Sequence, residues 1–373
     1  MLFFALITTS CSSSEGSKLN FDKVVYKPTY ASGFDITADV EQEALLFTVR
    51  NPWQGAKDIE QQFLLLSEGV KPPRDFEGQV VRGEIKRIVC LSSSHVALLD
   101  AVDQTQRIVG VSGIGYIANP RIAMRRKVGK VADIGYDAQI DFELLASLCP
   151  DLMLLYGIGG EDGILTGKLR ELGIPYIYIG EYVEESPLGK AEWLVLTAAL
   201  CGRLDEGRAV FEGIEKRYNT LRNMIRNQFK EEDRPTVMLN APYRDTWYMP
   251  SAKSYMIRLV EDAGGKYIFP QNTSNISQAI DIEQAYRLAA ESDIWINAGM
   301  YNNMEDLRRE NPKFSDIPSV KYHRVWNNNR RQTPQGGSDF WESGVVRPDV
   351  ILRDLFLIFS GADEPTTYYK QLR

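Results

Sequence analysis

The sequence predicts an α/β protein of two similar lobes joined by one long helix, with a small β-rich extension in front. Three observations carry this. Ile140-Asp141-Phe142-Glu143 and Ile280-Asp281-Ile282-Glu283 repeat one short pattern, and each copy opens a helix-like run that feeds an apolar strand ending in glycine. From Arg87 onward, short apolar runs alternate with helical segments, the grammar of a parallel sheet. Between Pro187 and Phe229, Trp193, Leu196, Leu200, Leu204, Val210, Ile214, Tyr218 and Ile225 recur at roughly helical steps. Both lobes are therefore expected to be Rossmann-like.

Residues 1–19 read as a lipoprotein signal and tether. The apolar run Leu2 to Ile7 and the small residues Thr8-Thr9-Ser10 lead to Cys11, a candidate lipidation site, and Ser12-Ser13-Ser14 open a polar stretch. The apolar run is far below the ~20 residues that span a bilayer. Residues 20–86 alternate in strand fashion, as in Ala44-Leu45-Leu46-Phe47-Thr48-Val49, around the turn Asn51-Pro52-Trp53-Gln54-Gly55; they form the β-rich extension. The first lobe covers 87–186. Residues 187–233 form the interlobe helix, whose charged faces suit solvent, with Gly202 and Gly207 as points of interruption. The second lobe covers 234–373 and closes on an amphipathic helix from Asp349 to Ser360.

An Asp cap followed by a first-turn Glu occurs in many unrelated helices, because the carboxylates satisfy free N–H groups and complement the helix dipole. Its recurrence before a helix and a buried strand in both halves favours a duplicated lobe with an equivalent acidic residue on each. The spacing to the next strand differs slightly, so the repeat is approximate.

Composition excludes several functions. A 373-residue chain with 44% hydrophobic and 25% charged residues is globular, and a net charge of −7 argues against a nucleic-acid surface. Two histidines and four cysteines, with no CxxC or HxxxH spacing, argue against a dedicated metal site. Cys90, Cys149 and Cys201 sit in apolar contexts and are expected to act as small hydrophobes. No GxSxG or HExxH is present. Gly157-Ile158-Gly159-Gly160 lacks a full GxGxxG and runs into Glu161-Asp162, which repels anions, so it reads as a cleft loop rather than a phosphate cradle. No catalytic residue and no cofactor is expected.

From Arg87 to the C-terminus the chain resembles the substrate-binding proteins of ABC importers for iron chelates, haem and cobalamin, the class with one rigid interlobe helix. The resemblance rests on Arg87-Ile88-Val89-Cys90-Leu91-Ser92 with His95 just after, on Arg107-Ile108-Val109-Gly110-Val111, on Asp141 to Leu155, and on the long helix. It implies a periplasmic, lipid-anchored monomer with permease and ATPase subunits as partners, and Glu143 and Glu283 as the residues that dock on the permease. It also implies a ligand held between the lobes by strand-end loops, with small cleft closure.

On that rule the ligand candidates are Ser94 and His95, Tyr116, and Tyr156 with its glycine loop. Across the cleft they are Tyr243, Arg244, Trp247, Tyr248, Trp326, Asn327 and Trp341. Aromatic faces suit a bulky planar or macrocyclic guest, and Arg244 suits a carboxylate or a chelate's negative charge. A two-lobed α/β enzyme, or a metal-cluster protein using the same crevice, is the alternative; Cys149 and Cys201 sit poorly for cluster ligation.

Overall fold

The structure is a computed structural model that describes residues 19–136, 139–299 and 301–373. Cys11 and the signal segment lie outside the described residues. The extension is a five-stranded sheet in chain order: β1 (Lys23–Tyr26), β2 (Phe34–Asp39), β3 (Ala44–Arg50), β4 (Glu60–Leu66) and β5 (Gln79–Arg82), antiparallel except for the parallel β4/β5 pair. Its core face follows from period-two alternation. Phe47 and Phe63 stand opposite each other across β3 and β4, and their rings meet edge to face at 5.9 Å.

The first lobe runs β6 (Ile88–Cys90), α1 (Ser93–Ala101), β7 (Ile108–Val111), α2 (Pro120–Lys127), β8 (Ala132–Asp133), α3 (Phe142–Ser147), β9 (Leu152–Leu155), α4 (Gly163–Glu171) and β10 (Tyr176–Tyr178). Its sheet is parallel, in the order β10-β9-β6-β7-β8. The chain moves outward from β6 and then returns to its other side, so β6 and β9 flank the topological switch point. Every residue of β6, β7 and β9 is buried, which explains their continuous apolar text.

The connector comprises two consecutive helices, α5 (Pro187–Leu200) and α6 (Leu204–Arg226). The break falls where expected, at Gly202, whose φ of 69° is left-handed. Gly207 does not interrupt; it lies inside α6, where a Cβ would come within 2.5 Å of the Ala198 side chain, so it lets the two helices pack closely. One expectation is corrected. No position of α5 is exposed, because the lobes and the extension cover it on all sides; the charged outer face belongs to α6 alone.

The second lobe runs β11 (Thr236–Leu239), β12 (Thr246–Met249), α7 (Tyr255–Asp262), β13 (Lys266–Tyr267), β14 (Gln278–Asp281), α8 (Ile282–Ala290), β15 (Ile294–Ile296), α9 (Met304–Glu310), α10 (Pro318–Lys321), β16 (Val325–Asn327), α11 (Pro348–Ser360) and β17 (Lys370–Gln371). The main sheet is ordered β13-β11-β15-β16-β17 and only β17 is antiparallel; β12 and β14 form a separate antiparallel pair. The switch point is β11/β15. The lobes thus share one placement: α3 leads into β9 and α8 into β15, each beside the first strand of its own sheet. Cys90 and Cys201 are buried, whereas Cys149 is exposed, on the turn after α3 with φ 42°.

Candidate functional site

Each switch point leaves a crevice beyond the carboxyl ends of its strands, and the candidate residues divide according to how they sit around it. In the first lobe, Ser92 caps α1 by accepting the Ser94 N–H at 3.2 Å, which turns the chain sharply after β6. Ser94 and His95 are both buried by that turn. His95 is fully enclosed, and burial pushes its imidazole down to about 4 against the opposing pull of the Glu181 carboxylate, so it is neutral and closed off rather than presented to a ligand. Tyr116 is nearly half exposed and its ring lies 5.3 Å from that of Tyr136. Tyr156 is half-buried at the end of β9, followed by the buried Gly157 and by Ile158, which is 77% exposed.

In the second lobe, Tyr243 and Arg244 follow β11, are exposed, and stack on each other, with the guanidinium carbon 5.4 Å from the ring centroid. Tyr248 and Trp341 are also open to solvent. Trp247 is not. It has no exposed surface, donates its indole N–H to the Leu239 carbonyl at 2.8 Å, and packs 5.4 Å from Trp295 and 5.6 Å from Phe314. Strand alternation turns it inward between half-buried Thr246 and exposed Tyr248, so Trp247 is a core residue.

Trp326 is also corrected. It lines a depression of about 810 Å³ with Pro235, Ile294 and Arg324, which stand at the starts of their strands, away from the strand-end crevice. Asn327 is buried and donates to the carbonyls of Gly299 and Tyr301, tying two loops together rather than facing a ligand.

A feature the sequence reading missed is that Asn240, Asn297 and Asn327 each stand where a strand of the second lobe ends. Asn240 and Asn297 adopt left-handed φ of 68° and 54°, a conformation asparagine tolerates better than most side chains. Asn240 donates to the Tyr248 carbonyl, and Asn297 accepts from the Tyr369 hydroxyl. The signal was legible as Val-Met-Leu-Asn, Ile-Trp-Ile-Asn and Val-Trp-Asn, three apolar strands that stop at asparagine.

The acidic pair is exposed and equivalently placed. Asp141 caps α3 by accepting the Leu144 N–H at 2.9 Å, and Asp281 caps α8 by accepting the Gln284 N–H at 2.7 Å. Glu143 and Glu283 then occupy the first turn of each helix.

The lobes touch where the Ala118 N–H donates to the Glu342 carboxylate at 2.6 Å, and where Gly337 packs so closely on Tyr116 that a Cβ would lie 2.0 Å from its carbonyl oxygen. A cavity of about 450 Å³ next to this contact is lined by Asp100, Arg217, Arg331, Asp339 and Glu342 together with apolar residues such as Val210, Ile214 and Val346, and by none of the aromatic candidates. Burial pushes the Glu342 carboxyl up to about 8, although the backbone of residues 118 and 119 works against it. Because its folded pKa exceeds the ordinary carboxylate value, Glu342 binds more protons folded than unfolded, and its contribution is lost as pH rises through about 8. The Glu342→Gln variant, which keeps an acceptor without a charge, is expected to gain melting temperature relative to the parent between pH 5 and 8; parallel melting curves across that range would refute this. Among the described residues no group of three His, Cys, Asp or Glu side chains is placed to hold a metal.

Residues 88–327 match the sequence profile of the periplasmic binding protein family. An uncharacterized lipoprotein of Methanocaldococcus jannaschii is 25% identical over 290 residues, covering 75% of this chain and 66% of the relative. A periplasmic heme binding protein from Pseudomonas aeruginosa has the same fold, with a TM-score of 0.59 at 16% identity over 78% of this chain and 98% of that one. So has the Fe3+–Desferal-bound siderophore binding protein FhuD of Vibrio cholerae, with a TM-score of 0.53 at 16% identity over 74% of this chain and 100% of that one. With two switch-point lobes and a helical connector on the same residues that match the profile, the chain belongs to the periplasmic binding protein family.

Proposed function

We propose that this chain is the lipid-anchored receptor of an ABC importer. It captures an iron-siderophore, haem or cobalamin-type ligand between its lobes and passes it to a membrane permease, while partner subunits hydrolyse ATP. It performs no catalysis of its own. The observation that carries the reading is the matched pair of Asp-capped helices, each presenting one exposed glutamate in its first turn and each leading into a switch-point strand. Two equivalent carboxylates, one per lobe, suit a permease with two equivalent basic patches.

The ligand class is supported by the exposed Tyr116, Tyr243, Tyr248 and Trp341, by half-buried Tyr156, and by the Arg244 guanidinium. Stiff aromatic faces and one cation suit a bulky, partly anionic chelate. The heme- and siderophore-binding proteins of like fold support the same class. An anchor at Cys11, holding the protein in the periplasm at a membrane surface, is supported by the apolar run before it and by the lipoprotein relative.

Exposed ion pairs contribute only ~0.2–1 kcal/mol each, so the glutamates set orientation and encounter rate. In vesicles carrying the cognate permease, Glu143→Ala combined with Glu283→Ala should leave ligand affinity unchanged and abolish most uptake. Uptake at the parental rate would remove both residues from the docking surface.

A further inference from the structure

We propose that the N-terminal extension is a working part of the ligand site: its 51–58 turn is a brace that positions the Tyr156–Gly160 loop for binding. The proposal rests on the reading that the strand-end crevice holds the ligand, and it assigns a role to a segment that precedes the family match at residue 88.

The turn is itself held shut. The Asn51 N–H donates to the Ile59 carbonyl at 2.9 Å, and the Ile59 N–H donates back to the Asn51 side chain at 3.0 Å. From this closed turn, two side chains reach the cleft end of the first lobe. Pro52 is buried against Gly180, where a Cβ would lie 3.1 Å from its Cα. The Trp53 ring meets the Tyr178 ring edge to face at 5.3 Å and flanks Gly157, where a Cβ would lie 3.0 Å from the indole. The main chain of the turn contributes as well. The Gln54 N–H donates to the Tyr182 hydroxyl at 3.3 Å, and that hydroxyl donates to the Gly157 carbonyl, so one tyrosine links the extension to the glycine loop.

These contacts converge on the loops that follow β9 and β10. Gly157, Gly159 and Gly160 make the first of them costly to order, since glycine loses the most conformational freedom when fixed. Trp53 and Tyr182 fix it before a ligand arrives, and preorganisation raises affinity by removing that cost from the binding step. Trp53 and Tyr182 act through the loop and are positioning residues.

The test uses the full chain with Trp53→Ala, Trp53→Phe and Tyr182→Phe, the last of which removes the hydroxyl link and leaves the packing in place. Amide hydrogen exchange at residues 157–160 should rise in Trp53→Ala and in Tyr182→Phe, return toward the parental rate in Trp53→Phe, and stay unchanged in β11 and β15. In titrations with hemin, ferric desferrioxamine and cyanocobalamin, whichever probe binds the parent should bind Trp53→Ala about tenfold more weakly, the effect of freeing one or two residues. Trp53→Phe should restore most of that loss. Unchanged exchange in the loop, or unchanged affinity with raised exchange, overturns the proposal. If the parent binds none of the three probes, the ligand reading fails on its own, and the exchange rates still decide whether the brace exists.

Discussion

Glu192→Ala is expected to cost on the order of 3 kcal/mol or more in urea unfolding, because a buried carboxylate with four donors on it disappears at once. Glu192 lies on α5 with no exposed surface, and it accepts from the Tyr26 hydroxyl at 2.7 Å and from the N–H groups of Thr29, Tyr30 and Ala31 at 2.9, 2.8 and 2.7 Å. Those three backbone donors sit between β1 and β2, where no ladder supplies partners. Glu184 does the same for the next residues, accepting from Ser32 N–H and Oγ and from Gly33 N–H, while the Trp193 indole holds it in place. Tyr30 reaches across to Glu215 and Asn219 on α6. The extension therefore grips both helices of the connector, on either side of the break at Gly202.

Removing Glu192 leaves three N–H groups and a phenol to find water in a site that excludes it. We expect the variant to unfold at clearly lower urea concentration, with protease cleavage appearing first between residues 26 and 34. Glu192→Gln, which keeps one acceptor oxygen, should fall between the parent and the alanine variant. A Glu192→Ala protein with the parental midpoint would mean that the extension docks through its sheet alone.

The second large effect is at Trp247. Truncating a fully buried tryptophan costs roughly 3–5 kcal/mol, through lost burial and the cavity left behind. Here the Leu239 carbonyl also loses its indole donor, and the rings of Trp295 and Phe314 lose a neighbour. Trp247→Ala should show a lower urea midpoint and altered tryptophan fluorescence with or without ligand; Trp247→Phe should recover part of the stability. Parental stability combined with weakened ligand binding would return Trp247 to the cleft surface.

The two cases show what the chain's text carries and what it hides. Parallel strands buried on both faces write themselves as apolar runs, and Asp141 and Asp281 announce helices because a cap needs only one residue at one spacing. The lobes, the extension sheet and the connector were legible for that reason, and Gly202 marked the break. Side-chain direction was less legible. Tyr243, Arg244, Trp247 and Tyr248 form one dense cluster in sequence, yet β12, paired with β14, sends Trp247 into the core and Tyr248 outward, while Tyr243 and Arg244 stay exposed on the turn before it. His95 was hidden by the tight α1 turn, and Trp326 by lying toward the starts of the strands rather than their ends. The full burial of α5 was invisible because it depends on the extension folding back over it from more than 150 residues away in sequence.

Whether the crevice between the lobes holds one bulky metal chelate is decided by absorbance titration of the purified full chain with hemin, ferric desferrioxamine and cyanocobalamin. One of the three should saturate at a single ligand per chain, and removing Tyr243 and Arg244 together should lower its affinity at least tenfold while the fold persists. Failure of all three to bind, or saturable binding indifferent to that double substitution, would contradict a chelate site in the crevice.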